Sequence, residues 1–477
     1  MNLILALVVL AIFFLAMQFF SDTPKKGDSN GIIKLSKGFD IALKGAASKE
    51  IREVESNTFA IQPTDFRGIF PIPKMLVKVG DLVKAGDPLF FDKKKEQIKY
   101  CAPVSGKISA INRGAKRSII EVVIEKDATM DYRTIDPVDY SKASRDQLVD
   151  FLAESGVWPF FKQRPYDIMA EVEVVPANIF ISTFDSAPLA PDLNFVMKEK
   201  AAAFAKGVEV LKQLTSGDVH IGMDAQAGNE PFKGTGGVEH TFSGKHPIGN
   251  VGIQIHHIAP ISADAPVWTI SAQDVAIIGN LFLEQRYNAE RTVAIVGDQV
   301  KNPAYVNTYI GANLKELLAG NLSEEKVRVI SGDVLSGEGK DTAQFLNFYD
   351  DQVTVIKEGD YYETFGWLVP STKRPTASKT YLSTLLGSKG PVVADTNQHG
   401  EKRAFVVTGQ YESFLPMDVY PQHLFKNILI GDYEKIAGLG IYELVEEDVA
   451  LCEFACTSKQ PLQEILREGL DFMQEQG

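Results

Sequence analysis

The sequence predicts a multidomain chain of mixed α+β and α/β class, headed by a transmembrane helix. Three observations point there. The 477 residues exceed what one hydrophobic core organises, so about three domains are expected. Short β-type runs fill the first third, strand–helix–strand alternation fills the middle, and helical composition fills the end. The first twenty residues are uncharged and almost wholly apolar, broken only by Asn2 and Gln18. A hydrophobic content of 45% and a charged content of 23% are ordinary for a globular body. A net charge of −13 argues against a nucleic-acid surface, which needs a basic face.

Asn2–Phe20 contains no charged residue. As a helix it spans about 28 Å, enough for a hydrocarbon core of about 30 Å. No basic residue precedes it and no small-residue cleavage site follows, so it reads as an anchor (residues 1–21) rather than a secretory signal. Lys25, Lys26, Lys34 and Lys37 lie just after it, which predicts a cytoplasmic body by the positive-inside rule. Residues 22–31 form a polar linker.

Residues 32–128 read as a β domain. Val77–Leu89 sets two strands around Gly-Asp and Gly-Asp-Pro turns, and Ala102–Ile111 supplies a matching half. This resembles the biotinyl/lipoyl carrier fold, a sandwich of two similar sheets. Lys93, Lys94, Lys95 and Lys99 fall in the interval where a carrier lysine sits, but none has a carrier's flanking residues. A solvated hairpin without a prosthetic group is expected.

Residues 129–289 read as a Rossmann-like α/β domain. Asp146–Leu152 is helical, Asn178–Phe184 is a buried strand, Phe195–Leu214 is a helix and Asp218–Met223 a further strand. The glycine cluster Gly234–Gly237 does not form the G-x-G-x-x-G fingerprint, and no phosphate-binding P-loop occurs. His240–Trp268 then concentrates four of the seven histidines among turn-forming Gly and Pro. Within it Val251–Ile255 alternates like a half-buried strand. Such a segment suits a metal, phosphate or redox ligand, or simply an ordered junction between domains.

Residues 290–375 read as a β-grasp domain, with a strand, turn and strand from Arg291 to Pro303, a helix at Leu314–Leu318 and a strand at Val327–Ile330. Asp351–Ile356 and Tyr361–Val369 add strands, and Ser371–Thr380 is a basic loop. Residues 376–477 are mainly helical, through Tyr420–Ile430, Asp432–Ala437 and Leu462–Met473. The three cysteines, Cys101, Cys452 and Cys456, are too few for a four-thiolate cluster, so no metal site is expected.

Longer strings carry a resemblance. Lys37–Asp40, Ala102–Gly106, Ile179–Pro191, Val219–Gly222, Phe242–Gly252, Asp395–Phe405, Leu439–Asp448 and Ala450–Lys459 together resemble the A-subunit family of bacterial sodium-translocating NADH:quinone oxidoreductases. The resemblance runs in order from Ile32 to Met473; the apolar N-terminus departs from the family pattern. It implies a place in a six-subunit respiratory complex of the bacterial inner membrane. There FAD, FMN, riboflavin and iron–sulfur centres belong to the other subunits, and the membrane-embedded B subunit is the chief partner. At fold level it implies kinship with the Rnf complex C subunit and the NADH-binding flavoprotein of complex I, with β-grasp (SLBB-like) architecture for residues 290–375. Neither a cofactor nor a catalytic residue is expected on this chain, with quinone its one candidate ligand. A quinone head group needs hydrogen-bond donors and an apolar slot. His246, His256, His257 and Trp268 are the candidates for that role or for a partner-facing surface. The competing reading is a stand-alone flavin- and NADH-binding electron-entry protein.

Overall fold

The computed structural model describes residues 31–69, 72–136, 138–262, 265–323, 326–364, 375–377, 390–405 and 409–476. The expected anchor at Asn2–Phe20 lies outside them, as do most of the linker, most of Ser371–Thr380 and the larger part of Tyr361–Val369. Among the described residues no helix is long and apolar enough to cross a membrane.

Two strands open the described chain, β1 (Ile32–Lys34) and β2 (Ser48–Arg52). The β domain follows with β3 (Thr58–Ile61), β4 (Lys74–Met75), β5 (Leu82–Val83), β6 (Pro88–Asp92), β7 (Lys95–Cys101), β8 (Gly106–Arg113) and β9 (Ile119–Lys126). These close a barrel-like sandwich from a four-stranded sheet, β3-β9-β8-β5, and a three-stranded one, β4-β6-β7. Leu89, Phe90, Ile98, Tyr100, Ile108 and Ile124 fill it. Lys93 and Lys94 sit exposed at the β6–β7 turn. Lys95 pairs with Glu171, and Lys99 donates to the Glu96 carbonyl.

The α/β unit comprises α1 (Arg145–Glu154), β10 (Lys162–Arg164), β11 (Ile168–Met169), β12 (Ile179–Ser182), α2 (Leu193–Val196), α3 (Ala201–Leu211), β13 (Val219–Asp224), β14 (Val238–Ser243), α4 (Val251–Ile258), β15 (Val267–Thr269) and α5 (Ala272–Glu284). Its sheet runs β1-β14-β13-β12-β15-β10-β11, parallel from β1 to β15. Helices α3 and α5 press together through Gly207 and Gly279. A Cβ on Gly207 would overlap the Val275 carbonyl oxygen, and one on Gly279 that of Ala203. Only glycine allows that approach.

Val251–Ile255, expected to be a strand, is instead the start of helix α4. Parallel strands β14 and β15 need a crossover between them, and α4 is that crossover. Gln254 is as buried as Ile253 and Ile255, so the apparent period-two alternation has no exposed face behind it.

The β-grasp unit contains β16 (Glu290–Val296), β17 (Ala304–Tyr309), α6 (Leu314–Leu317), β18 (Val327–Ser331), β19 (Glu338–Lys340) and β20 (Gln352–Lys357), in the order β19-β18-β20-β16-β17-β2. The first two strands therefore serve other units: β1 extends the α/β sheet and β2 the β-grasp sheet. The C-terminal helices are α7 (Pro421–Ile430), α8 (Tyr433–Gly438), α9 (Glu446–Ala455) and α10 (Leu462–Gln476). They share a second core of Leu424, Phe425, Val449, Leu466 and Leu470, into which Ile253 of α4 inserts.

Candidate functional site

Strand β12 has β13 on one side and β15 on the other, and the chain reverses its direction of sheet growth between them. In open α/β sheets ligands bind in the crevice outside the carboxyl ends of the strands at such a switch point. A cavity of about 550 Å³ occupies that place. Ser182 at the end of β12, with Phe184 and Asp185 beyond it, lines one wall, and Thr269 at the end of β15, with Ile270–Gln273 beyond it, another. Asp333, Asp350 and Asp351 enter from the β-grasp unit, Asp65 from the β domain, and Glu446 and Glu447 from α9.

The lining is strongly acidic. Burial and the nearby Asp350 push the Asp65 carboxyl up to about 7. The surrounding protein and Asp333 shift Asp185 in the same direction, although its side chain remains exposed along the cavity. Burial raises Asp351 to about 6, with Asp350 adding to the effect. Asp167 is the contrast: its burial is outweighed by Lys162, Arg67 and Arg164, which hold it down at about 2.

The N-terminus of α4 opens on this crevice, where a phosphate would sit in a nucleotide-binding relative of the fold. Here the protein's own side chains hold the seat. Arg164, 2% exposed, reaches Asp448 Oδ2 at 3.0 Å and Glu447 Oε1 at 2.8 Å. Burial works against the Arg164 charge, yet Asp448 and Glu447 hold its proton affinity above the ordinary arginine value. Gly252, in the first turn of α4, lies against this pair; a Cβ there would stand 2.6 Å from Asp448 Oδ1. Asn250 caps the arrangement by donating to the Glu447 carbonyl at 2.9 Å. An anionic pyrophosphate does not fit these residues. The carboxylates repel it, and the backbone approach it needs is filled by an internal ion pair.

The four sequence-predicted residues fall in three places. His246 lines the cavity at 3% exposure. Its Nδ1 lies 3.0 Å from Ser186 Oγ, which also accepts the Gly249 N–H, and its Nε2 has no partner among the described residues. Burial drives its imidazole down to about 4, so the ring is neutral. His256 belongs to the junction with the C-terminal helices. Its Nδ1 donates to Glu443 Oε2 at 2.7 Å, and its Nε2 accepts the Asp418 N–H at 3.1 Å. The neighbouring His257 donates from Nε2 to the Pro416 carbonyl at 2.8 Å. Trp268 is wholly buried, 5.3 Å from Trp158 and 5.4 Å from Phe161 between ring centroids.

Sequence reasoning missed the acidic wall, because Asp65, Asp185, Asp350 and Asp351 come from distant segments with no shared motif. A His220–His240 pair, 3.0 Å apart on β13 and β14, also escaped notice. Cys452 is buried within α9, and Cys456, just past the end of that helix, has Sγ 3.0 Å from the Tyr411 hydroxyl. Among the described residues no three His, Cys, Asp or Glu side chains are grouped to hold a metal.

Three family models match the chain: the NqrA N-terminal barrel-sandwich hybrid domain at residues 33–127, the NqrA second alpha/beta domain at 143–287 and the NQRA C-terminal domain at 292–340. The A subunit of the Na(+)-translocating NADH-quinone reductase of Saccharophagus degradans is 39% identical over 451 residues, covering 94% of this chain and 100% of that one. Its counterpart in Hahella chejuensis is 37% identical over 450 residues, with the same coverage. Among solved structures, the NAD+-reducing [NiFe]-hydrogenase in its air-oxidized state matches with a TM-score of 0.33 and 10% identity, over 62% of this chain and 55% of that one.

Proposed function

The chain belongs to the A-subunit family of Na(+)-translocating NADH-quinone reductases, and from that premise we propose that it serves its complex as a docking scaffold without a flavin or NADH site of its own. It is one subunit of a sodium-translocating NADH-quinone reductase, an oxidoreductase and translocase. The stand-alone flavoprotein reading is not favoured.

One observation carries the scaffold role. The switch-point crevice, where this class of fold takes its nucleotide, is walled by carboxylates, and the seat at its helix N-terminus is filled by Arg164, Asp448 and Glu447. A purified chain should therefore show no flavin absorption near about 450 nm and no saturable quenching by NADH. Stoichiometric flavin in the isolated chain would overturn the reading.

The finer placement follows the same reasoning. In this reading the body faces the cytoplasm of a bacterium and docks on the membrane-embedded part of the complex, chiefly the B subunit. Asn2–Phe20 adds an anchor in the inner membrane. Truncation after Gly31 keeps β1, whose ladder with β14 starts at Ile32. Such a protein should stay folded and leave the membrane fraction of cells lacking the other subunits. Retention of the truncated body in that fraction would remove the anchor from the account. Of the four quinone candidates His246 alone lines the switch-point cavity, while His256 and His257 bond to the C-terminal segment. The role of those two in this reading is to fix that segment against the α/β unit.

A further inference from the structure

Four carboxylates on the cavity wall make no ion pair with Lys, Arg or His among the described residues: Asp65, Asp185, Asp350 and Asp351. Their bonds run to neutral donors instead. Asp65 accepts the Phe348 N–H at 2.8 Å, Asp185 the Ala187 N–H at 2.8 Å, Asp350 the Ser331 hydroxyl at 2.6 Å and Asp351 the Gln273 amide at 3.3 Å. They also repel one another, Asp185 feeling Asp351, and Asp351 and Asp65 both feeling Asp350. The cations on the same lining, Arg67, Lys162 and Arg164, are taken up by Asp167, Glu446, Glu447 and Asp448, so the four carboxylates leave a surplus of negative charge. A recessed cavity with such a surplus focuses the field and concentrates counter-ions. The fifth feature is His246, 3% exposed and lining the same cavity, whose ring presents Nδ1 to Ser186 and leaves Nε2 without a partner among the described residues.

We propose that this cavity binds an extended organic cation carrying two or more ammonium groups, of the linear polyamine class. Its volume of about 550 Å³ lies within the range of small-molecule sites. A single metal ion matches it poorly, because no three ligating groups are brought together among the described residues. The negative charge is spread over walls contributed by three units, and a chain with separated ammonium groups meets it at several points. Each ammonium donates charge-assisted hydrogen bonds to a carboxylate. The neutral His246 completes the site: with its proton on Nδ1, shared with Ser186 Oγ, Nε2 accepts a ligand N–H. The inference goes beyond the docking role and does not depend on it, since a scaffold without flavin can carry such a ligand or lack it.

The test is calorimetric titration of the full chain with spermidine at pH 8 and low salt. Saturable one-to-one binding is expected. Asp185→Asn and Asp351→Asn should each weaken it about tenfold, as loss of a charge-assisted contact does. Asp150→Asn, on the exposed face of α1, should leave it unchanged. A measurement on the unaltered chain guards against variants that fail to fold: spermidine should protect Asp185 and Asp351 from carbodiimide labelling, read by mass spectrometry. Absence of saturable binding overturns the proposal. So does full displacement by Mg²⁺ at matched ionic strength, equal weakening by Asp150→Asn, or labelling of the two carboxylates unaffected by spermidine.

Discussion

Replacing Asp448 by Ala probes the junction that closes the crevice. Asp448 is 0% exposed and Arg164 2%, so their 3.0 Å contact lies outside the reach of solvent screening. Removing one partner of a buried pair costs about 3–5 kcal/mol, because the other charge stays buried. Glu447, 2.8 Å from the same guanidinium, keeps it partly neutralised and holds the loss toward the lower end. The Val445 N–H, 3.1 Å from Asp448 Oδ2, loses its acceptor as well, adding about 1–3 kcal/mol if left bare. Together these put Asp448→Ala at about 4–5 kcal/mol of destabilisation. Urea denaturation followed by circular dichroism measures it, with limited proteolysis reporting release of α9 and α10. The apolar double variant Arg164→Met with Asp448→Leu should regain much of the loss, since the one carboxylate it strands, Glu447, is 41% exposed and can be solvated. A double-mutant cycle should then return a coupling of at least about 2 kcal/mol. A single variant within about 1 kcal/mol of the parent, or a coupling near zero, would refute the idea that this pair holds the C-terminal helices in place.

Gly252→Ala attacks the same junction from the other side. Its methyl group would collide with the Arg164–Asp448 pair, so about 1–3 kcal/mol of destabilisation is expected by thermal denaturation. His256→Ala strands both Glu443 and the Asp418 N–H and should lower stability by about 1–3 kcal/mol while leaving spermidine affinity intact. His246 shapes the acid limb of stability. Its folded-state value of about 4 lies below the unfolded 6.5, so the unfolded chain binds the proton first and stability falls as pH drops from about 6.5 to about 4. That contribution amounts to about 3 kcal/mol, and His246→Gln should flatten the denaturation midpoint across that window. Cys452→Ser and Cys456→Ser should leave iron content unaltered, measured by elemental analysis, at a cost confined to packing.

Local pattern was legible where one segment decides its own structure. The strand at Ile179–Ser182 and the helices at Ala201–Leu211 and Leu462–Gln476 follow from apolar runs and helical spacing. Pattern failed where the partner decides. Val251–Ile258 is helical because β14 and β15 are parallel, a relation invisible within its own eight residues. Likewise Ile32–Lys34 reads as the first strand of the β domain, but its ladder is with Thr241–Ser243, far along the chain. The histidines were conspicuous through crowding, and crowding reports little about direction. His246 and His256 are close in sequence yet face different neighbours, one a cavity wall and the other Glu443 of the C-terminal segment. The carboxylates that give the cavity its sign were ordinary residues in ordinary loops, assembled only by the packing of three units.

In the scaffold reading, the crevice also explains how a nucleotide-type sheet can serve a protein that takes no nucleotide. A helix N-terminus at a switch point presents unsatisfied N–H groups and a partial positive charge, which favours an anion there. In this chain the anion is internal: the first turn of α9, Glu446-Glu447-Asp448, is brought up to the first turn of α4 by Arg164. Two helix starts that would repel each other are reconciled by two carboxylates, Glu447 and Asp448, and the Arg164 guanidinium between them. An incoming phosphate would have to displace that pair and then lie beside Asp185 and Asp351. Two like charges 4 Å apart near a protein surface repel by about 4 kcal/mol, so two such neighbours offset most of what a helix terminus and several backbone donors provide. The same substitution of charge that shuts out a pyrophosphate leaves a surplus of carboxylates facing an open cavity. Exclusion of an anion and attraction of a cation are thus one electrostatic fact, and the spermidine titration and the NADH titration read its two sides.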